Sequence, residues 1–310
     1  MTKEMKLPFD VQAFVEPVIC RQPGFQQVKI RASDAFNCFL NIAVLQDKLN
    51  EKVVPGWTVA RNAWPLAILA ETIEGLNWTN WEWWKPGNMN LGQVQIEIID
   101  VLHFVTSKLL ELNGLGNGNQ WLNDSAIALT AGQLYECYAR QDDNKVQQLK
   151  FTGNTDEERQ AKALQYFFKK LVRYVADEDL MIMEPETWSR EVLTYLFRAV
   201  TMSGMDLVEM YSKYVAKNAL NFFRKDNGYK QGTYIKFWPT TKDTAVEDND
   251  YLMENVLPYH VSEKNPLMLM NNLYSALHSY YQQVVLPAQP AAPSVEGQAV
   301  VDASQFEVKA

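Results

Sequence analysis

The sequence contains little cysteine and little histidine, with three of each among 310 residues. Cys20, Cys38 and Cys137 are too few and too scattered for the disulfide framework of a small secreted domain. Their separations also do not fit a zinc site, and three histidines argue against a multi-histidine zinc centre. We therefore expect a reducing compartment and a cytoplasmic protein, in the cytoplasm of the host if the gene is viral.

Basic residues are outnumbered, because 29 Lys and Arg stand against 37 Asp and Glu, a formal net charge of −8. A nonspecific surface for duplex DNA or RNA needs an excess of Lys and Arg, so we expect no nucleic-acid partner. No apolar run approaches the roughly 20 residues that span a bilayer. The first ten residues also lack the apolar core of a secretory signal. A membrane partner is therefore not expected.

Glycine is scarce as well, at 14 of 310 residues, and the sequence is rich in long segments with helical spacing of apolar side chains. These segments predict an all-α fold with helices at 33–50, about 62–81, 91–112, 155–175, 187–202, 204–225 and 264–284. The connections are predicted at 141–160, at an acidic turn over 177–185, and at 228–238, where 233–235 is extended.

The organisation that we expect is a single domain over residues 1–286. After Leu286 the composition changes, with Pro287, Pro290 and Pro293 among Ala, Gln, Ser and Val. Such a segment lacks the apolar density to fold alone, so 287–310 is predicted to be a disordered tail.

Two acidic pairs stand out in the segment from 71 to 100. Glu71 and Glu74 are three residues apart on one predicted helix, and Glu97 and Asp100 repeat that spacing on the next. An acidic pair at this spacing is usually a solvated face. The second helix, however, is apolar nearly all round, which is typical of a buried helix. Ionised carboxylates are costly to bury without compensation, and clusters without His or Cys suit Mg²⁺ or Mn²⁺.

Four of the nine tryptophans lie within seven residues of the turn between these helices, at Trp78, Trp81, Trp83 and Trp84. A hydrophobic corner would explain most of them. A tryptophan ring is also a flat platform for a base, so we expect one ring to contact a ligand.

A basic set follows much later in the chain. Lys217, Asn221 and Arg224 share one helix face at i, i+4 and i+7. Ordinary solvated basic residues would explain this pattern equally well. Opposite a metal-loaded carboxylate cluster, however, the same side chains would bind phosphate oxygens.

Seven segments in a fixed order carry a family resemblance: 45–50 (LQDKLN), 71–74 (ETIE), 81–85 (WEWWK), 97–104 (EIIDVLHF), 217–224 (KNALNFFR), 228–236 (GYKQGTYIK) and 247–249 (EDN). Together they resemble the dimeric all-α dUTP diphosphatase family, within the all-α nucleoside triphosphate pyrophosphatase superfamily. The resemblance covers residues 40–250, with a poorly matched middle part at 112–200. It implies a multi-helix bundle with the active site between two helical subdomains.

The resemblance also implies an activity and a set of site residues. The implied enzyme is a homodimer that hydrolyses dUTP to dUMP and pyrophosphate with Mg²⁺ (or Mn²⁺). Glu71, Glu74, Glu97 and Asp100 would be the metal ligands, with Glu71 or Glu74 as the catalytic base. The remaining residues would bind the substrate: Gln46, Asn50, Trp81, Lys85, Lys217, Asn221, Arg224, Tyr229, Lys230, Lys236, Asp248 and Asn249.

Two alternatives remain open at the level of sequence. A dCTP pyrophosphatase, or one that cleaves both dCTP and dUTP, would carry nearly the same residues, because an amide that reads uracil can rotate to read cytosine. A non-enzymatic helical interaction protein would instead leave the four acids exposed to water.

Overall fold

The computed structural model describes residues 18–19, 29–30, 32–116, 120–140, 150–240, 244–263 and 265–288. This part of the chain is built almost entirely from α-helices, so the predicted all-α class is confirmed. The ten helices are α1 Ala32–Val53, α2 Trp64–Asn77, α3 Leu91–Leu112, α4 Gln120–Ala139, α5 Asp156–Val175, α6 Glu178–Met183, α7 Pro185–Met202, α8 Leu207–Asp226, α9 Asp248–Tyr251 and α10 Pro266–Tyr280.

Four short strands form two antiparallel pairs. They are β1 Val18–Ile19 with β2 Lys29–Ile30, and β3 Phe237–Pro239 with β4 Ala245–Glu247. In the second pair Trp238 lies opposite Val246, and its ring is fully buried. The extended segment predicted at 233–235 therefore begins four residues later than expected, at Phe237, where Trp238 can anchor the strand in the core.

The central element of the molecule is α3. Its apolar side chains face α1, α2, α4, α7 and α8, which all pack against it. Asn90 caps this helix, since its side chain accepts a hydrogen bond from the backbone N–H of Gln93 at 3.2 Å. At the other end Gly114, with φ of 84°, terminates the helical path. The predicted boundaries of 91–112 are confirmed.

The other predicted helices are also present, with ends that differ by a few residues. Pro65 lies in the first turn of α2, where its missing N–H is tolerated. Thr155 caps α5, as its Oγ1 accepts from the Glu158 N–H at 3.1 Å. Helix α1 begins at Ala32, one residue before the predicted start. Ser33, whose side chain would suit a helix cap at that predicted start, therefore lies inside the first turn. The last predicted helix ends as a π-helical turn at Tyr281–Val285.

Three of the described helices were not predicted from sequence: α4, α6 and the four-residue α9. Helix α4 lies within the poorly matched middle part, and α6 occupies most of the segment expected to be an acidic turn. Asp177 caps α6 by accepting from the N–H of Leu180 at 2.9 Å. Residues 141–149 of the predicted connection and 289–310 of the predicted tail lie outside the described residues.

Helices α2 and α3 come close together at a glycine. A Cβ atom built on Gly75 would lie 3.3 Å from the Cβ of Glu97 on α3 and 2.9 Å from a ring carbon of Phe168 on α5. There is no room for a side chain at this crossing. The glycine thus lets the acidic pairs of the two helices approach each other.

Candidate metal and nucleotide site

Three carboxylates converge where α2 crosses α3. Glu71 comes from α2, Glu97 and Asp100 come from α3, and one oxygen of each lies within 4.8 Å of the others. Glu97 and Asp100 are one turn apart and project from the same side of α3. The arrangement is a cluster of oxygen donors that could share one or two cations.

The cluster is short of positive charge. Lys217 of α8 is the cation that contacts it: its Nζ lies 2.8 Å from Asp100 Oδ2 and donates to Asn249 Oδ1 at 2.9 Å. Burial, followed by the charge of Asp100, raises the pKa of Glu71 to about 7 and that of Glu97 to about 8. Glu71 and Glu97 therefore bind a proton more readily than ordinary carboxylates, and a divalent cation would relieve the same repulsion.

Glu74 has a different environment from the other three acids. It lies one turn beyond Glu71 on α2, is exposed, and does not belong to the converging group. Its charge nevertheless contributes to the raised pKa of Glu71 and of Glu97, so the side chain is near the cluster. The structure thus brings three of the four predicted ligands together and leaves the fourth at the edge.

A cavity of about 450 Å³ adjoins the carboxylates. Glu71 and Asp100 are part of its lining, and the walls come from α1, α2, α3 and α8. The predicted substrate residues in its lining are Gln46, Asn50, Lys217, Asn221, Arg224, Tyr229 and Lys230.

Gln46 and Asn50 form a buried polar network on the inner wall of this cavity. Gln46 Nε2 donates to Asn50 Oδ1 and to Ser107 Oγ, both at 2.9 Å. Asn50 Nδ2 donates to the same hydroxyl at 2.9 Å, and the Tyr214 hydroxyl donates to Gln46 Oε1 at 2.5 Å. The two amides are therefore held in place from α3 and α8.

His103 supports this wall and does not belong to the carboxylate group. It is buried, its ring stacks on Tyr214 with centroids 4.0 Å apart, and its Nδ1 hydrogen-bonds the Ile99 carbonyl at 2.8 Å. A carbonyl can only accept, so the proton resides on Nδ1. Burial lowers the pKa of His103 to about 4, and the ring is neutral.

Arg224 reaches the cavity from the end of α8 and is fixed by a buried acid. Its Nε and one terminal nitrogen donate to the Asp248 carboxylate at 2.8 and 2.6 Å. Asp248 has no exposed surface and also accepts from the Tyr234 hydroxyl at 2.7 Å. Asp248 thus contacts Arg224 and does not line the cavity, although the sequence predicted it as a substrate contact.

Residues 38–229, more than half of the chain, match the family model described as dUTPase. The chain belongs to the dUTPase family. No curated protein matches it. Membership of the dUTPase family gives the chain dUTP diphosphatase activity, a nucleotide substrate and a requirement for a divalent metal. The match includes the middle part at 112–200 and ends before Tyr234.

The dUTPase cavity has an aromatic wall that sequence reasoning missed. Trp57, Trp64 and Phe104 line it beside the amides. Trp64 packs against both of the other rings, with centroids 5.8 Å from Trp57 and 6.2 Å from Phe104. Trp57 directly follows residues 54–56 (VPG), whose proline and glycine indicate the end of a helix, and Phe104 directly follows His103. These positions were the only sequence signal for the two rings, and it is weaker than four tryptophans within seven residues.

That denser cluster lies elsewhere in the structure. Trp78, Trp81, Trp83 and Trp84 are 39–87% exposed. Trp81 lines a second cavity of about 420 Å³ against α5, and its Nε1 donates to Asn77 at 3.1 Å. Lys85 forms an exposed ion pair with Glu82 at 2.8 Å. Neither Trp81 nor Lys85 lines the first cavity, so a substrate contact from them would require this turn to move or the substrate to extend.

Two further predicted substrate contacts lie outside the cavity lining, whereas Lys230 is part of it. Lys236 pairs with Glu247 at 3.0 Å and is outside the cavity lining. Asn249 accepts from Lys217 and is likewise outside the lining. Lys230 lines the cavity while its Nζ donates to the carbonyl of Val53 at the end of α1. No described helix is both long and apolar enough to cross a membrane.

Proposed function

We propose that the chain hydrolyses dUTP to dUMP and pyrophosphate with Mg²⁺ held by Glu71, Glu97 and Asp100. Mn²⁺ would fit the same oxygen donors. The observation that carries this proposal is the convergence of three carboxylates within 4.8 Å beside a nucleotide-sized cavity, in a chain of the dUTPase family. A cation there supplies Lewis acidity for the phosphate oxygens and for the attacking water.

The acids have two roles in this proposal. Glu97 and Asp100 are held on one helix face and provide fixed oxygen donors. Glu71 or Glu74 takes the proton of the water. Glu74 is exposed and can swing toward the cluster, and its charge already acts on Glu71. Glu71 belongs to the cluster and Glu74 lies at its edge, so we keep both as candidates for the general base.

The basic residues of the cavity lining bind the triphosphate. Lys217 is buried between Asp100 and Asn249, so it is positioned next to the metal ligands. Arg224 keeps one terminal nitrogen outside its paired contact with Asp248, and its guanidinium lies 5.5 Å above the Tyr229 ring. A guanidinium positioned in this way offers its remaining N–H groups to phosphate oxygens. Asn221 and Lys230 add further donors to the lining.

The base would lie against the aromatic part of the cavity lining. Trp57, Trp64 and Phe104 contribute apolar surface to the same cavity that Asn50 lines. Hydrogen bonds to the uracil edge would therefore form away from water. In such surroundings a base that leaves a polar group unpaired loses more binding free energy than it would in water. The non-enzymatic alternative requires exposed acids, and Glu97 is only 7% exposed.

The proposed assembly is a homodimer of a single domain covering residues 1–286, with a location in the cytoplasm. The dimer is taken from the family resemblance. Light scattering on the purified chain tests it, and a monomer at micromolar concentration would reject it.

A nucleotide panel tests the substrate. Wild-type protein is incubated with Mg²⁺ and dUTP, dCTP, dTTP or dATP, and pyrophosphate and phosphate are measured separately. We expect pyrophosphate from dUTP. A preference for dCTP would replace the proposed substrate with the cytosine nucleotide, and release of phosphate alone would reject the reaction. Glu74→Gln should lose turnover, and full activity in that variant would remove Glu74 from the mechanism.

A further inference from the structure

The network behind Asn50 has only one consistent arrangement of protons. Ser107 Oγ lies 2.9 Å from Gln46, from Asn50 and from the His103 carbonyl. Its single proton goes to the carbonyl, so both amides must turn an N–H group toward the hydroxyl. With both amides flipped, two amide oxygens and a carbonyl would share one proton, and buried oxygens would be left facing each other.

Tyr214 fixes the same orientation from the opposite side. Its hydroxyl donates to Gln46 Oε1 at 2.5 Å. The ring is fully buried and stacked on His103, and another acceptor near the hydroxyl, the Ile42 carbonyl, is farther away at 3.4 Å, so Gln46 is the closer partner. A reversed Gln46 would present an N–H group to the tyrosine and an oxygen to Ser107. Both contacts of Gln46 therefore favour the orientation observed.

The two amides differ in what they can still offer to a ligand. Both N–H groups of Gln46 are engaged, one by Asn50 and one by Ser107. Asn50 donates one N–H to Ser107 Oγ and accepts one hydrogen bond from Gln46 on its Oδ1. Within the described part of the chain it keeps one N–H and one oxygen lone pair, and it lines the cavity. Asn50 is thus the amide that can form two hydrogen bonds to a base edge.

Uracil and cytosine present these partners in opposite order. Along the edge from position 4 to position 3, uracil has an acceptor and then an N–H donor, whereas cytosine has an N–H donor and then an acceptor. An asparagine that is free to rotate satisfies either base. An asparagine fixed in one orientation satisfies only one of them in a given pose of the sugar and phosphates.

We propose that Ser107 and Tyr214 are specificity-determining residues, which lock Gln46 and through it Asn50 so that the pocket accepts uracil and rejects cytosine. Gln46 is then a positioning residue and Asn50 the residue that contacts the base. This inference rests on the proposed function and narrows it, because the rotation that would admit dCTP is blocked by the fold. The apolar wall of Trp57, Trp64 and Phe104 leaves a mismatched base edge without water, so the wrong order is costly.

The test compares two variants that loosen the network with one that does not. Tyr214→Phe removes the donor to Gln46, and Ser107→Ala removes the shared acceptor. Tyr211→Phe is the matched control, since Tyr211 lies one turn earlier on α8 and its hydroxyl does not contact either amide. For each protein, kcat/KM is measured with dUTP and with dCTP, and the thermal midpoint is recorded to show that the fold is retained.

We expect the ratio of kcat/KM for dUTP to that for dCTP to fall at least about tenfold in both variants and to be unchanged in Tyr211→Phe. A purely structural role would lower kcat/KM for both nucleotides together and leave the ratio intact. An unchanged ratio in either variant, or an equal fall in the control, would overturn the inference.

Binding of dUMP and dCMP, measured by calorimetry, separates this inference from the proposed function because it needs no hydrolysis. If wild-type protein releases no pyrophosphate, the proposed function fails. A preference for dUMP that is lost in Tyr214→Phe would still support the network. If the wild-type protein hydrolyses dUTP but the variants keep its nucleotide preference, the proposed function stands and the inference about the network fails.

Discussion

Removing the buried charge of Glu97 should make the metal-free protein more stable while it abolishes activity. Glu97 is 7% exposed, and burial together with the charges of Asp100 and Glu71 raises its pKa to about 8 from the ordinary value of 4.5. An acid whose folded pKa is raised binds its proton more tightly in the folded state. Its contribution to stability is present below the unfolded pKa and is lost as pH rises toward 8.

The size of the effect follows from this shift in pKa. At about 1.36 kcal/mol for each pKa unit, keeping Glu97 ionised above pH 8 costs at most about 5 kcal/mol. Part of this cost is shared with Glu71, which repels the same charge, and an amide makes its own imperfect contacts. We therefore expect Glu97→Gln to stabilise the metal-free protein at pH 8.5 by about 2 kcal/mol, or about 4 °C or more in Tm.

Thermal unfolding in the presence of a chelator at pH 5.5, 7 and 8.5 measures this prediction. The Tm of the wild-type protein should fall across this range relative to that of Glu97→Gln, and the difference should be smallest at pH 5.5, since it vanishes only below the unfolded pKa of 4.5. Glu74→Gln is the matched control, because Glu74 is exposed and its removal should change metal-free stability by less than about 0.5 kcal/mol. A destabilised Glu97→Gln at pH 8.5 would refute the argument that the cluster repels itself.

Three further outcomes are expected. Gly75→Ala should destabilise the protein by about 1–3 kcal/mol in urea unfolding, because its methyl group would lie 2.9 Å from the Phe168 ring; an unchanged midpoint would show that the crossing has spare room. Asp248→Ala should cost about 3–5 kcal/mol and raise KM, since it leaves the buried Arg224 without its partner; wild-type stability and kinetics would contradict this role. Saturating Mg²⁺ with a nonhydrolysable dUTP analogue should raise Tm by an amount that grows with ligand concentration, and no shift would contradict binding to the folded state.

The elements that could be predicted from sequence are those with a clear apolar stripe and a clear stop. Helix α3 lies between Asn90 and Gly114 and has apolar side chains around most of its circumference, and its bounds were predicted to the residue. Helix α4 was missed. Its buried residues include the small side chains of Ala126, Ala128 and Ala131, and these do not form a strong helical stripe.

In the candidate site, too, the local features could be predicted from sequence and the contacts between distant residues could not. The acidic pairs are local features, and their spacing on α2 and α3 was visible in the sequence. The contacts of Gln46 were not visible, because its partners Ser107 and Tyr214 are 61 and 168 residues away. Ser107 did have one local signal, since it continues the polar line of Glu97, Asp100 and His103 along an otherwise apolar helix.

The tryptophan-rich turn shows the limit of composition as a guide. Four rings in seven residues favoured a ligand contact, yet Trp83 is 87% exposed and the cavity is lined by Trp57 and Trp64 from a different segment. Which aromatic residues meet the amides depends on how the segment between α1 and α2 packs against Phe104. That packing is a tertiary property, and no local pattern encodes it.

Metal binding by the carboxylate cluster tests the central claim most directly. Mn²⁺ binding to the wild-type protein, followed by electron paramagnetic resonance with a nonhydrolysable dUTP analogue, should saturate at a small whole number of ions. In Glu97→Gln and Asp100→Asn both this binding and pyrophosphate release from dUTP should be lost together. Undiminished Mn²⁺ binding and turnover in those two variants would contradict the account.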